Sequence, residues 1–163
     1  MSVGPRKARM AQIVAASLMA VWADQVIHSV GDPIGLGELG LGIGAVPFTV
    51  FAVVGVMNAI NMIDGMDGLA GGVSAIAIAW LVALAALNAN GAQLELLLLW
   101  LGAVVGFLLF NLRYPLGKRA RVFMGDGGSL VLGLTLAWFC VDLTQGSSAG
   151  PTVYPITAVW ILG

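Results

Sequence analysis

The chain alternates long apolar runs with short polar breaks. The first run covers residues 11–30 and is interrupted by Asp24 and Gln25. Residues 31–42, GDPIGLGELGLG, carry glycines, a proline and two acids, and read as a loop or a short hairpin. The second run covers 43–63, with Pro47 near its start, where a helix tolerates proline. The third covers 69–87. A tight polar turn, NANGAQ, leads to the fourth at 94–112 and the fifth at 127–143. After TQGSSAG a sixth run starts at Pro151 and goes on for 13 residues to Gly163.

A transmembrane helix needs about 20 apolar residues, and the first five runs have roughly that length. Thirteen residues reach only about 20 Å against a hydrocarbon core of ~30 Å. The pattern predicts an all-α, polytopic integral membrane helix bundle with five full spans and a truncated sixth. Residues 1–163 read as one membrane domain, the central fragment of a longer protein.

Composition agrees. The chain is 60% hydrophobic and 9% charged, whereas a soluble domain has about 25% charged residues. The net charge of −1 names no partner, and nothing points to nucleic acid. One cysteine, Cys140, excludes an intrachain disulfide, and one histidine, His28, excludes a histidine-rich metal site.

The placement of charge says more. Numbering the breaks by alternate sides puts the N-terminus, the 64–68 turn and the 113–124 loop on one side. All seven Lys and Arg lie there, and the positive-inside rule makes that side cytoplasmic. It also carries Asp64, Asp67 and Asp126, in two glycine-rich turns that read NAINMIDGMDGLAGG and FMGDGGS.

Carboxylates without histidine or thiolate suit Mg²⁺, or Mn²⁺, over zinc. Glycines at 65, 68, 125, 127 and 128 let the backbone come close to a ligand. Each turn precedes an apolar helix, whose first N–H groups favour a phosphate. Neither is a Walker A loop, because no Gly-Lys-Ser/Thr follows. The residues alone also admit plainer roles. Asp67 and Asp126 can cap helices, Asp64 can mark a solvated turn, and the basic loop can serve topology only. Asn58, Asn61 and Asn111 can hydrogen-bond between helices.

The two motifs, NAINMIDGMDGLAGG and VFMGDGGSLVLG, closely resemble those of the polyprenyl-phosphate N-acetylhexosamine-1-phosphate transferases, in the same order and each joined to a span. The asparagine-rich entry looks more like the branch that uses UDP-GlcNAc. The resemblance implies transfer of a sugar-1-phosphate from a UDP-N-acetylhexosamine to polyprenyl phosphate, undecaprenyl phosphate in bacteria, with release of UMP. It implies Mg²⁺ dependence, an active site at the cytoplasmic face of the bacterial inner membrane, and a place in cell-wall or surface-polysaccharide synthesis.

By the resemblance, Asp126 is a Mg²⁺ ligand, and Asp64 and Asp67 bind or orient the metal-diphosphate. Asn61, Asn111 and Gly125 contact the nucleotide or sugar-phosphate, and Phe123 stacks on uracil. Two family elements, an adjacent Asp pair and a histidine-rich motif, have no counterpart in the chain. The expectation is therefore a central part of an active site, with activity of this fragment alone in doubt. Two other readings stay open: a catalytically inactive fragment, and a small cation-handling membrane protein with the acids as its ion site. Oligomeric state is open too, a homodimer among the options.

Overall fold

The computed structural model describes residues 5–31, 37, 39–87, 91–112 and 120–145. They form five helices: α1 (Pro5–Val21), α2 (Ala45–Ile63), α3 (Leu69–Leu87), α4 (Gly91–Asn111) and α5 (Gly125–Gln145). Among the described residues the one β-pairing is an antiparallel bridge between Ser29 and Gly40. Residues 28–31 pair with 39–41, the Val30 N–H donating to the Leu39 carbonyl at 3.1 Å and the Leu41 N–H to the His28 carbonyl at 2.9 Å.

Four helices are long and apolar enough to cross a membrane, within Gly42–Ile63, Leu69–Leu87, Gly91–Asn111 and Gly125–Gln145. Among the described residues this corrects the expected five full spans to four. The first expected span, 11–30, does not exist as one helix. α1 begins earlier and stops at Val21. The Ala23 N–H turns back to the Leu18 carbonyl at 3.2 Å, and Asp24 takes a left-handed φ of 55°. An aspartate tolerates that conformation better than an apolar residue would, and one such residue ends a helix. What remains is 17 residues, about 25 Å, with Arg6, Lys7 and Arg9 in its first turns. The expected sixth run at 151–163 lies outside the described residues.

Three packed helix pairs run antiparallel: α1 with α2, α2 with α5, and α3 with α4. Along α1 and α2, Gln12 meets Asn58, while Ala20 clusters with Ala45. Along α2 and α5, Asn61 meets Ser129 and Met57 meets Gly133. α3 and α4 meet where Gly71 faces Leu108. The main core joins Ile60 of α2, Ile78 and Leu81 of α3, Leu97 and Val104 of α4, and Leu132, Leu136 and Leu143 of α5. In a membrane, lipid is as apolar as leucine, so close packing has to hold helices together. α2 and α5 achieve it at Gly133, where a Cβ would lie 2.6 Å from the Met57 Cα.

This topology gathers the end of α2, the start of α3, the end of α4 and the start of α5 at one end of the bundle. His28 lies at the other end, its backbone N–H donating to Gln145 Oε1 at 3.1 Å. α5 is 21 residues long, which separates that end from Asp126 by about 30 Å.

Candidate functional site

α2 ends at Ile63, and Asp64 is its C-terminal cap residue. The chain then turns through Gly65, Met66 and Asp67 to Gly68, and the Leu69 N–H closes the turn onto the Met66 carbonyl at 3.1 Å. Gly68 holds φ +82°, and a Cβ there would sit 2.4 Å from Leu112 Cδ2. The left-handed φ is what calls for glycine here, and a Cβ would in addition push the end of the Leu112 side chain aside. The Gly68 carbonyl accepts from the Gly72 N–H at 2.8 Å and starts α3.

The second turn is built on the end of α4. Arg121 N–H donates to the Phe110 carbonyl at 2.9 Å, which lays the segment after the basic loop back along that helix end. α5 then opens at Gly125 (φ +68°), with Asp126 exposed in its first turn.

One side chain joins the two turns. Asn111 is the last residue of α4 and is buried. Its Oδ1 accepts from the Gly68 N–H at 2.7 Å, and its Nδ2 donates to the Val122 carbonyl at 2.8 Å. Asn61 makes a second tie. Its Oδ1 accepts from the Ser129 hydroxyl at 2.7 Å, from the last turn of α2 to the first turns of α5. Deeper in the bundle, Gln12 and Asn58 exchange amide hydrogen bonds at 3.2 and 3.3 Å.

The structure therefore brings Asn61, Asp64, Asn111, Gly125 and Asp126 to one place, with Asp67 half-buried in the turn between Asp64 and Gly68. Phe123 stands 70% exposed just ahead of Asp126, a free aromatic face at the rim. Asn111 is used within the protein at both ends of its amide, so its visible role is to brace the turns. Arg121 of the basic loop is exposed beside them. Arg113, Lys118 and Arg119 lie outside the described residues.

Electrostatics mark the pair Asp64 and Asp126. Partial burial pushes the Asp64 carboxyl above its ordinary value, and the neighbouring Asp126 charge pushes it the same way. Among the described residues no group of three or more acidic, histidine or cysteine side chains is placed to hold a metal. What they offer is a pair of hard oxygen donors whose repulsion is not neutralised. That donor set fits Mg²⁺, which takes one or two carboxylates and leaves its other positions to water and phosphate.

Ser129, beside the candidate site, and Gln12, deeper in the bundle, are the partners of Asn61 and Asn58 that sequence reading did not single out. Gln12 had a signal, an amide inside an apolar helix. Ser129 follows Asp126 by three positions on α5, which puts both on one helix face.

A family model described as glycosyl transferase family 4 matches residues 1–144. The chain is 40% identical over 60 residues to the undecaprenyl-phosphate alpha-N-acetylglucosaminyl 1-phosphate transferase of Pasteurella multocida, over 37% of this chain and 16% of that protein. The like-named protein of Haemophilus influenzae gives the same identity and coverage. That of Escherichia coli K12 is 39% identical over 62 residues, 38% of this chain and 16% of the relative. The matched stretch is thus a small part of these longer proteins. The family match extends well beyond it, over both aspartate turns and the five helices as far as Thr144, and it bears out the resemblance of the two motifs. The chain belongs to glycosyl transferase family 4.

Proposed function

We propose that the protein transfers a sugar-1-phosphate, GlcNAc-1-phosphate by the names of its relatives, from a UDP-sugar to a polyprenyl phosphate such as undecaprenyl phosphate. The observation that carries this reading is the meeting of the two glycine-rich aspartate turns at one end of a membrane bundle, where burial first, and then the neighbouring Asp126 charge, raise the Asp64 carboxyl. A nucleotide-sugar diphosphate comes from water and a lipid phosphate from the bilayer. A site at the end of the spans is reachable by both.

In the reaction, a phosphate oxygen of the lipid attacks the β-phosphorus of the UDP-sugar. The bond from that phosphorus to the bridging oxygen breaks, and UMP leaves with the bridging oxygen. Two anions must approach each other, so positioning and charge neutralisation dominate the barrier. Mg²⁺, or Mn²⁺, would supply that neutralisation, held by Asp126 and Asp64, with Asp67 orienting the diphosphate. The N-terminus of α5 presents backbone N–H groups to the same phosphates. Phe123 offers a stacking face for the uracil. Arg6 and Lys7 of α1, both exposed, and Arg121 lie at the same end of the bundle, which the positive-inside rule makes the cytoplasmic face of a bacterial inner membrane.

An ion path would be expected to place acids along the bundle interior. Here Asp64 and Asp126 share one end, which favours the transferase over a cation-handling role.

The test is lipid-product formation and UMP release from UDP-GlcNAc and undecaprenyl phosphate in membranes carrying the full chain. Activity should require Mg²⁺ and vanish with a chelator and in Asp126→Asn. Membranes that form no lipid product overturn the reading, and unchanged UMP release in Asp126→Asn removes that residue from the mechanism.

A further inference from the structure

Asn61 is half-buried on the last turn of α2, three residues before Asp64. Ser129 is fully buried on α5, three residues after Asp126. Residues three apart on a helix lie on one face, so the Asn61–Ser129 pair sits one turn beneath the Asp64–Asp126 pair.

An asparagine amide has a donor end and an acceptor end, and which end faces a ligand decides what it can bind. The Ser129 hydroxyl has one proton and three oxygens in reach. Asn61 Oδ1 is 2.7 Å away, the Asp126 carbonyl 3.2 Å and the Gly125 carbonyl 3.3 Å. O–H···O bonds cluster near 2.7–2.8 Å, so the proton belongs to Asn61 Oδ1, and the two carbonyl contacts are long for a hydroxyl donor. With Oδ1 held, Nδ2 is the remaining end. It makes no hydrogen bond among the described residues.

We infer that Ser129 is a positioning residue: its hydroxyl locks the Asn61 amide so that the Nδ2 donor, not the carbonyl, is presented at the acidic pair, where it recognises an acceptor oxygen of the nucleotide-sugar. The inference rests on the transferase reading. It explains why an uncharged polar group is kept fully buried where the two turns meet. Without the lock the amide can turn and offer an oxygen to an anionic substrate, which repels it.

The test is a double-mutant cycle in membranes carrying the full chain, with UDP-GlcNAc as the varied substrate and undecaprenyl phosphate saturating. Ser129→Ala should raise KM for UDP-GlcNAc roughly tenfold, the scale of one hydrogen bond, with a smaller change in kcat. In an Asn61→Ala background the same Ser129→Ala change should have no further effect on KM, because the group it orients is gone. Thermal unfolding of each variant in detergent reports packing separately. Additive effects of the two substitutions, or an unchanged KM in Ser129→Ala, overturn the inference while leaving the transferase reading intact. A Ser129→Ala change that lowers the melting temperature and kcat but not KM also overturns it. A wild-type chain that forms no lipid product overturns the underlying reading, and this inference with it.

Discussion

Asn111 accepts a hydrogen bond from the backbone N–H of Gly68 at 2.7 Å, so the end of α4 holds the turn between α2 and α3. The same amide donates to the Val122 carbonyl ahead of α5. One buried side chain thereby fixes the spacing of the two aspartate turns.

Asn111→Ala removes both bonds and leaves the Gly68 N–H and the Val122 carbonyl without their partner. An unsatisfied buried group costs about 1–3 kcal/mol. We expect Asn111→Ala to lose about 2 kcal/mol or more by thermal unfolding in detergent. Asn111→Asp should not rescue it, because an oxygen would then face the Val122 carbonyl.

Two glycines should separate sharply on substitution. Gly68→Ala must hold φ +82°, which strains the turn, and it also displaces the end of the Leu112 side chain at 2.4 Å. Nothing lies within 4 Å of a Cβ at Gly65, only three residues away. Gly68→Ala is expected to abolish transfer activity and lower the melting temperature. Gly65→Ala should change the melting temperature little, and the two measured side by side check the turn geometry.

Gly133→Ala tests the α2–α5 contact. The new methyl would lie 2.6 Å from the Met57 Cα and 3.2 Å from the Val56 carbonyl oxygen, both backbone atoms that cannot swing aside. The helices must part, which costs roughly 1–3 kcal/mol in a packed interior. Gly55→Ala on α2 has open space and should be neutral by the same unfolding measurement.

The acidic pair predicts a pH dependence whose sign follows from the raised Asp64 carboxyl. The folded protein binds that proton more tightly than the unfolded chain does. The contribution to stability is full below the ordinary carboxyl value of 3.8 and is lost as pH rises through the raised folded value. Asp126→Asn removes the neighbouring charge, the smaller of the two causes, and should lower the Asp64 titration without restoring it to the ordinary value. Mg²⁺ at neutral pH should stabilise the wild type more than Asp126→Asn. Melting temperature against pH, with and without Mg²⁺, reads all three effects.

At the opposite end of the bundle, Asp142 of α5 accepts from Gln25 Nε2 at 3.4 Å and from Gln93 Nε2. These bonds tie the α1–α2 connection and the start of α4 to the end of α5. Asp142→Ala should lower the melting temperature yet leave UMP release per folded molecule near the wild-type level. A specific loss of activity at unchanged stability would show that this end takes part in the reaction.

Much of this protein was legible in the chain itself. Unbroken apolar runs fix helices 69–87 and 43–63 to within two residues, because a membrane offers the backbone no hydrogen-bond partner outside a helix. The spacing of Asp64, Asp67 and Asp126, each beside glycine and each at a span end, points to a candidate site in the sequence, and the fold brings Asp64 and Asp126 together. The run at 11–30 misled, because its apolar count hid the left-handed break at Asp24, a conformation that composition does not encode. Pattern also fixes that Asn61 and Asn111 are polar groups at helix ends, but not which atoms they meet. Only the tertiary structure decided that Asn111 is consumed in bracing Gly68 and Val122, and that the serine closing the FMGDGGS motif holds Asn61. Those choices depend on distances across helices that are 43 and 68 residues apart in the chain. Packing sets such distances, and no local sequence rule carries them.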